Sequence, residues 1–151
     1  MVMKVAMDLT CNNRKAIYYY SMSGNTKALV ELSDIDGYDV YNLNRIEPGD
    51  LEFGDYEMIL IGTSTIGRGV PHNYFRDIYK QLSKLENKYI GLFGSGNSIY
   101  DIYCGALDIL EEFLKIKNKV IFKFKFESYP TSKVLIDFEK ILKKGERCLT
   151  E

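Results

Sequence analysis

Several features that would mark particular classes of protein are missing from this chain. Tryptophan is absent, there is a single histidine, His72, and the three cysteines, Cys11, Cys104 and Cys148, form no C-x-x-C pair. Without a cluster of His and Cys ligands, we expect no metal site. An odd number of scattered cysteines favours free thiols over a disulfide framework, which indicates a reducing, cytoplasmic environment.

A charge imbalance and long apolar runs are also missing. The chain has 20 basic and 21 acidic residues and a formal net charge of −1, so it has no strong field to recruit nucleic acid or an acidic membrane. No apolar run approaches the roughly 20 residues of a transmembrane helix. The polar start, residues 1–13, does not have the pattern of a signal peptide. We therefore expect a cytoplasmic protein that binds neither nucleic acid nor a membrane.

What the sequence does contain is an alternation of strand and helix signals. The 151 residues fit one domain, which we place at residues 15–151 after an N-terminal extension, residues 1–14. Strands are predicted at residues 16–20, 39–43, 58–62, 89–93 and 120–126, and helices at 25–32, 71–85, 101–114 and 132–144. Residues 45–56 are predicted to form a connection with room for one turn of helix.

This alternation predicts an α/β fold with a parallel sheet that is covered by helices on both sides. Residues 58–62 form a continuous apolar run, as expected of a strand buried on both faces. The last strand alternates with Lys123 and Lys125 and is predicted to lie at an edge. In such sheets ligands bind at the carboxyl ends of the strands, so the loops there are the candidate site.

The first of these loops is rich in hydroxyl groups and leads into a helix. It reads Ser21-Met22-Ser23-Gly24-Asn25-Thr26. Helix N–H groups carry partial positive charge and hydroxyls donate further hydrogen bonds, so the loop suits a phosphate, and Gly24 lets the backbone approach it. The loop lacks the lysine of a Walker loop and the glycine spacing of a Rossmann turn. An ordinary capped helix without a ligand is the alternative that these residues leave open.

Two further strand-end loops have similar chemistry. Residues 63–69 read Thr-Ser-Thr-Ile-Gly-Arg-Gly, and residues 94–100 read Gly-Ser-Gly-Asn-Ser-Ile-Tyr. Turns favour such residues anyway, so one loop alone is weak evidence. Three loops at the same edge of a sheet could hold a phosphate and bind a polar heterocycle, whose faces Ile66 and Tyr100 could cover.

In order along the chain, these loops resemble those of the flavodoxin family. The family's S/T-x-S/T-G-x-T phosphate loop is matched by Ser21, Ser23, Gly24 and Thr26, and its G-x-S-x-x-G loop by residues 62–67. Its F-G-x-G-D/N motif, followed by an aromatic residue and Cys-Gly-Ala, is matched by residues 93–97, Tyr100 and residues 104–106. The resemblance spans roughly residues 15–142.

The resemblance implies a flavodoxin-like, doubly wound, five-stranded parallel sheet with strand order 2-1-3-4-5 and non-covalently bound FMN. It implies a one-electron carrier between redox protein partners, a reductase and an acceptor, that acts as a monomer and has no catalytic residues of its own. The implied cofactor-binding residues are Ser21, Met22, Ser23, Gly24, Asn25, Thr26, Thr63, Ser64, Thr65, Ile66, Gly67, Ser95, Gly96, Asn97, Tyr100, Tyr103 and Cys104.

Particular roles also follow from the resemblance. Ser21, Ser23, Asn25 and Thr26 would hold the phosphate, Asn97 would bond the pyrimidine edge and Tyr100 would stack on the ring. The Gly67 carbonyl would accept the N5 proton of the one-electron-reduced ring after a peptide flip, which glycine makes inexpensive.

Some positions depart from the family's usual pattern and keep other functions open. Ile66 stands where many flavodoxins have tryptophan, and Arg68 stands where an acidic residue is common. Arg68 is either a solvated charge or a cation that stabilises the anionic reduced ring. The lysines at positions 115, 117, 119, 123 and 125 form a local basic cluster, or simply keep an edge strand from pairing.

Two alternatives share the expected fold and cofactor. Residues 67–71, 96–97 and 126–127 also resemble the flavodoxin-like activator of class Ib ribonucleotide reductase, which would make that enzyme the partner. An FMN-dependent NAD(P)H or quinone reductase is the other alternative. It would need space over the ring, against which the short loop at residues 66–69 and Tyr100 argue.

Overall fold

The computed structural model describes residues 14–66, 70–71, 73–96 and 105–150. In chain order its elements are β1 (Lys15–Tyr19), α1 (Asn25–Leu32), β2 (Tyr38–Asn42), β3 (Met58–Ile66), β4 (Val70–Pro71), α2 (Asn73–Asp77), α3 (Tyr79–Ser83), β5 (Tyr89–Gly96), α4 (Gly105–Leu114), β6 (Lys119–Glu127) and α5 (Ser132–Glu146). Single 3₁₀ turns lie at Leu43–Arg45, Pro48–Asp50 and Arg147–Thr150.

The strands form one twisted sheet in the order β2-β1-β3-β5-β6, and all four of these neighbouring pairs are parallel. Counted without β4, this is the predicted order 2-1-3-4-5, and β6 lies at the predicted edge. The two-residue β4 is an addition, since it runs back antiparallel to the end of β3. The fold class expected from the sequence is therefore confirmed.

Helices cover both faces of the sheet because its strands are apolar on both sides. In β1, Ala16 and Tyr18 face the layer of α2, α3 and α4, whereas Ile17 and Tyr19 face α1 and α5. All four side chains are almost fully buried. Burying a large apolar side chain contributes about 1.5–3 kcal/mol, so this alternation fixes the register of the central strand.

One predicted helix is divided in the structure. The apolar spacing from Phe75 to Leu82 indicated one helix over residues 71–85, but α2 ends at Asp77 and α3 begins at Tyr79. Between them Ile78 leaves helical geometry, with φ −102° and ψ 20°, and is fully buried. Helical hydrogen bonds continue on both sides, from Ile78 N–H to the Tyr74 carbonyl (3.1 Å) and from Leu82 N–H to the Ile78 carbonyl (3.0 Å), so the predicted helix is interrupted at one residue.

Backbone hydrogen bonds at the start of β3 join it to the residue that precedes β1. The carbonyl of Arg14 accepts hydrogen bonds from the amides of Glu57 (2.9 Å) and Met58 (3.1 Å), which aligns β1 with β3. Of the predicted N-terminal extension, only Arg14 belongs to the described residues.

Candidate functional site

The loop between β1 and α1 lies at the carboxyl edge of the sheet, as predicted. Gly24 precedes the helix with φ 93° and ψ −8°, the left-handed conformation that suits glycine. A Cβ placed on Gly24 would meet nothing within 4 Å, so its backbone conformation and not crowding calls for glycine. Gly24 has no side chain to cap α1, so the amides of Asn25 and Thr26 at the start of the helix remain for another acceptor.

The hydrogen bonds of this loop leave a set of donors at the helix start. Ser21 Oγ accepts the amides of Gly24 (3.1 Å) and Lys27 (3.2 Å), so its hydroxyl proton remains for donation. Among the residues that the structure describes, none accepts a hydrogen bond from the amides of Ser23, Asn25 or Thr26. Amides and a hydroxyl at a helix N-terminus are the groups that bind a phosphate.

The side chain of Thr26 is turned into the protein. Its hydroxyl donates to the carbonyl oxygen of Thr63 (3.0 Å) and lies 3.1 Å from Ser95 Oγ. Since a hydroxyl has one proton, Ser95 is the donor in the second bond. Thr26 and Thr63 are fully buried and Ser95 is 4% exposed. Thr26 therefore joins the start of α1 to the ends of β3 and β5, and its amide is the group left for a phosphate.

The ends of β3 and β5 lie side by side, as the three-loop hypothesis requires. Thr63 pairs with Gly94 and Ser64 with Ser95 in the parallel register. Met22 N–H also lies 3.5 Å from Ser64 Oγ, which brings the first and second loops together. The backbone of Thr65 and Ile66 pairs with β4, so the chain reverses directly after β3.

Several predicted site residues lie outside the described part of the chain. They are Gly67, Asn97, Tyr100, Tyr103 and Cys104, and their predicted roles stay predictions. Arg68 also lies outside the described residues. Of the residues that resemble the ribonucleotide reductase activator, the structure describes only 70–71, 96 and 126–127.

Asn44 is a residue of this site that the sequence analysis missed. Its side-chain oxygen accepts the amide of Ser21 and its side-chain nitrogen donates to the carbonyl of Ser21, both at 3.0 Å. The only local signal is the pair Asn42 and Asn44 after a strand, which is typical of a turn. Nothing in such a turn indicates that it reaches a loop 23 residues earlier.

An aromatic pair lies next to the loop of residues 21–26. The rings of Tyr20, directly after β1, and Tyr74, in α2, have centroids 5.1 Å apart. Burial raises the pKa of Tyr74 to about 12, and the nearby Glu47 carboxylate acts in the same direction. The phenol of Tyr74 is therefore neutral at any pH near 7.

Two lysines of the basic cluster, Lys123 and Lys125, form ion pairs with acidic side chains of α4. Lys123 Nζ contacts Asp108 Oδ1 (2.6 Å) and Glu111 Oε1 (2.8 Å) of α4, and Lys125 Nζ lies 3.4 Å from the same Asp108 oxygen. The bond to Lys123 lowers the pKa of Asp108 and raises that of Lys123. These two positive charges are compensated, so this part of the cluster is not a free basic surface.

Within the described ranges, no group of three or more His, Cys, Asp or Glu side chains is arranged to hold a metal ion. None of the helices in that part of the structure is long and apolar enough to cross a membrane.

The sheet is parallel with the order 2-1-3-4-5, and a donor-rich loop follows its first strand. The protein therefore has a doubly wound α/β fold with its candidate site at this loop. The sequence model of the family named Flavodoxin matches residues 17–138. The protein named "Probable flavodoxin 2" of Bacillus subtilis is 31% identical over 146 residues, which cover 87% of this chain and 95% of that protein. This chain belongs to the flavodoxin family.

Solved structures agree with that assignment. Oxidised flavodoxin 1 from Bacillus cereus superimposes with a TM-score of 0.68 at 27% identity and covers 91% of this chain and 98% of its own. The Fusobacterium nucleatum flavodoxin bound to flavin mononucleotide gives a TM-score of 0.64 at 18% identity and covers 86% of this chain and 96% of its own. The second likeness concerns the fold alone.

Proposed function

We propose that this flavodoxin-like electron-transfer protein carries single electrons on non-covalently bound FMN whose phosphate lies in the loop of residues 21–26. The observation that carries the proposal is the donor set at the start of α1, namely the amides of Ser23, Asn25 and Thr26 and the hydroxyl of Ser21. The flavodoxin of Fusobacterium nucleatum, which has the same fold, is bound to flavin mononucleotide.

The donor set fits a phosphate monoester in its chemistry. An oxyanion is bound by several hydrogen-bond donors, and a glycine lets the backbone approach it closely; the loop supplies both. A fixed cation is not required, because the partial charge of a helix N-terminus favours an anion by roughly 0.3–1 kcal/mol and each amide adds a charge-assisted hydrogen bond. Ser23 is exposed, so its hydroxyl is free to turn toward the phosphate.

The remaining predicted residues form the proposed surroundings of the ring. They are Thr63, Ser64, Thr65, Ile66, Gly67, Ser95, Gly96, Asn97, Tyr100, Tyr103 and Cys104, with Met22 beside the phosphate. The adjacent ends of β3 and β5 and the contact between Met22 N–H and Ser64 Oγ support this placement. FMN supplies the one-electron chemistry, and the protein's part is to bind it, orient it and exclude water.

Flavodoxins transfer electrons to redox partners, and we propose a reductase and an electron acceptor as the partners here. We also propose a cytoplasmic monomer. The free thiol of Cys148, the one cysteine within the described residues, agrees with a reducing compartment. Light scattering after size exclusion measures the oligomeric state directly.

The proposal is tested by adding FMN to the purified chain and reducing the complex stepwise without oxygen while its visible absorbance is followed. A long-lived one-electron-reduced species supports a single-electron carrier. Direct passage to the two-electron-reduced flavin, together with NAD(P)H turnover in the absence of a partner, would instead identify a reductase. A chain that takes up no FMN contradicts the proposal as a whole.

A further inference from the structure

We infer that Asn44 is a positioning residue for the phosphate loop, which sets the affinity of the site for the phosphate group through the backbone of Ser21. The inference rests on the proposed FMN function and adds a residue from outside the loops that match the family's motifs. It starts from the two hydrogen bonds between the Asn44 side chain and the peptide groups of Ser21.

The Asn44 carboxamide continues the β1–β2 ladder after the strands separate. The parallel register ends at the pair Tyr19 and Asn42, because the chain then enters the 3₁₀ turn Leu43–Arg45. Two residues past Tyr19, Ser21 has no strand beside it on this side. The side-chain amide of Asn44 presents one acceptor and one donor to the Ser21 N–H and C=O, as a neighbouring peptide group would.

Asn44 itself is held in place by its turn. Its backbone amide donates to the Asn42 side-chain oxygen (2.9 Å), and Ile46 N–H closes the turn on the Leu43 carbonyl (3.2 Å). Leu43 is 1% exposed and anchors the turn in the core. The carboxamide is therefore offered to Ser21 from a fixed position.

Ser21 passes this constraint on to the donors of the loop. With both of its peptide groups bound, its Oγ has a defined place, and that oxygen accepts the amides of Gly24 and Lys27. Without Asn44, these groups would have to be ordered when the phosphate binds, and ordering costs affinity. The side chain of Asn44 is largely exposed, so its removal leaves no cavity. The expected effect is thus on binding more than on folding.

The test compares Asn44→Ala with Asn118→Ala. Asn118 is a matched control because its side-chain oxygen accepts the amide of Lys88 (3.0 Å) and its nitrogen donates to the carbonyls of Leu85 (2.9 Å) and Leu114 (3.1 Å). It makes the same kind of bonds at the amino edge of the sheet, away from the loop. Asn44→Asp is the second variant, since it keeps an acceptor for Ser21 N–H but places a negative oxygen against the Ser21 carbonyl.

Dissociation constants are measured by flavin fluorescence for FMN and for riboflavin, which lacks the phosphate. Asn44→Ala should weaken FMN binding about tenfold, the order of magnitude expected when the loop must be ordered as the phosphate binds, and leave riboflavin binding within about twofold. Asn44→Asp should weaken FMN binding further, and salt should reduce the difference. Asn118→Ala should leave the ratio of FMN to riboflavin affinity unchanged. An equal loss for both flavins, or no loss for FMN, overturns the inference.

Inorganic phosphate gives a readout without flavin. Millimolar phosphate should raise the thermal unfolding midpoint of the native chain and of Asn118→Ala, and raise that of Asn44→Ala less. If the native chain responds to phosphate but binds no flavin, the proposed FMN function fails while the role of Asn44 stands. If Asn44→Ala responds to phosphate as strongly as the native chain, the role of Asn44 fails.

Discussion

Thr26 shows how much of the site depends on a single hydroxyl. It donates to Thr63 and accepts from Ser95, and all three side chains are buried. Thr26→Val keeps the shape and removes one buried hydrogen bond from the Thr63 carbonyl and one from the Ser95 hydroxyl. We expect a loss of about 1–3 kcal/mol in the free energy of unfolding, measured by urea titration of the cofactor-free protein.

Thr26→Ser is the control for this prediction, because it keeps the hydroxyl and removes one methyl group. Its expected cost is about 1 kcal/mol, the contribution of one buried methyl group. A valine variant that unfolds at the same urea concentration as the native protein would show that the buried bonds contribute nothing.

Between elements, the edge strand β6 is tied to α4 by the ion pairs of Lys123. Lys123→Gln should destabilise the protein by up to about 1 kcal/mol at low salt and by less in 1 M NaCl, since these groups are partly exposed and salt screens them. The control is Lys115→Gln, which breaks one exposed pair with Glu112 and should have almost no effect. If the two variants lost the same free energy of unfolding, the ion pairs of Lys123 would contribute no more to stability than an exposed pair.

The same ion pair has a defined pH dependence. The pKa of Asp108 is lower in the folded protein than its ordinary value of 3.8, mainly because it accepts from Lys123. Its contribution is present above that ordinary value and is lost as the pH falls through the lowered folded value. The difference in urea midpoint between the native protein and Lys123→Gln should therefore shrink below about pH 4.

The elements also show where sequence patterns stop being informative. The predicted helix over residues 25–32 is confirmed residue for residue, because its polar start and apolar face are local signals. The ends of β3 and β5 were interpreted as loops, since Thr, Ser and Gly favour turns. In the structure these residues pair with each other across the sheet, a contact between segments about 30 residues apart that local composition does not encode.

Within the candidate site, too, some features could be predicted from the sequence and others could not. The donor loop was predicted because it lies directly after a strand and before a helix. Asn44 was missed because its partner lies 23 residues away. The bonds of the Thr26 hydroxyl to the ends of β3 and β5 were not predicted either, because the neighbours of that hydroxyl come from distant parts of the chain. The loop could be predicted from its position between a strand and a helix. The contacts of its side chains depend on which strands are neighbours in the sheet, and a local pattern does not show this.

At the scale of the whole molecule, buried tyrosines set an alkaline limit to stability. Burial raises the pKa of Tyr38, Tyr56 and Tyr74 above the ordinary value of 10.0, and that of Tyr74 reaches about 12. The folded protein keeps these phenols neutral while the unfolded chain ionises them. Their contribution is complete below pH 10 and is lost as the pH rises, for Tyr74 between about 10 and 12.

We therefore expect the urea midpoint to fall as the pH rises from 10 to 11, with a further rise in tyrosinate absorbance at 295 nm when the protein unfolds and releases these buried phenols. Tyr74→Phe should make the decline shallower, because it removes one of the groups that ionise only in the unfolded chain. A midpoint that stays constant from pH 8 to pH 11 would contradict this account.

The long-range hydrogen bonds of the Thr26 hydroxyl also have a consequence for the order of events during protein synthesis. Thr26 bonds to residues 37 and 69 positions further along the chain, so the ribosome makes the phosphate loop long before it makes the groups that hold the loop in shape. A nascent chain that ends before Ser95 contains the whole loop motif but lacks the end of β5 beneath it. In the proposed function, FMN would therefore bind the complete loop only after β5 has been made and has joined the sheet.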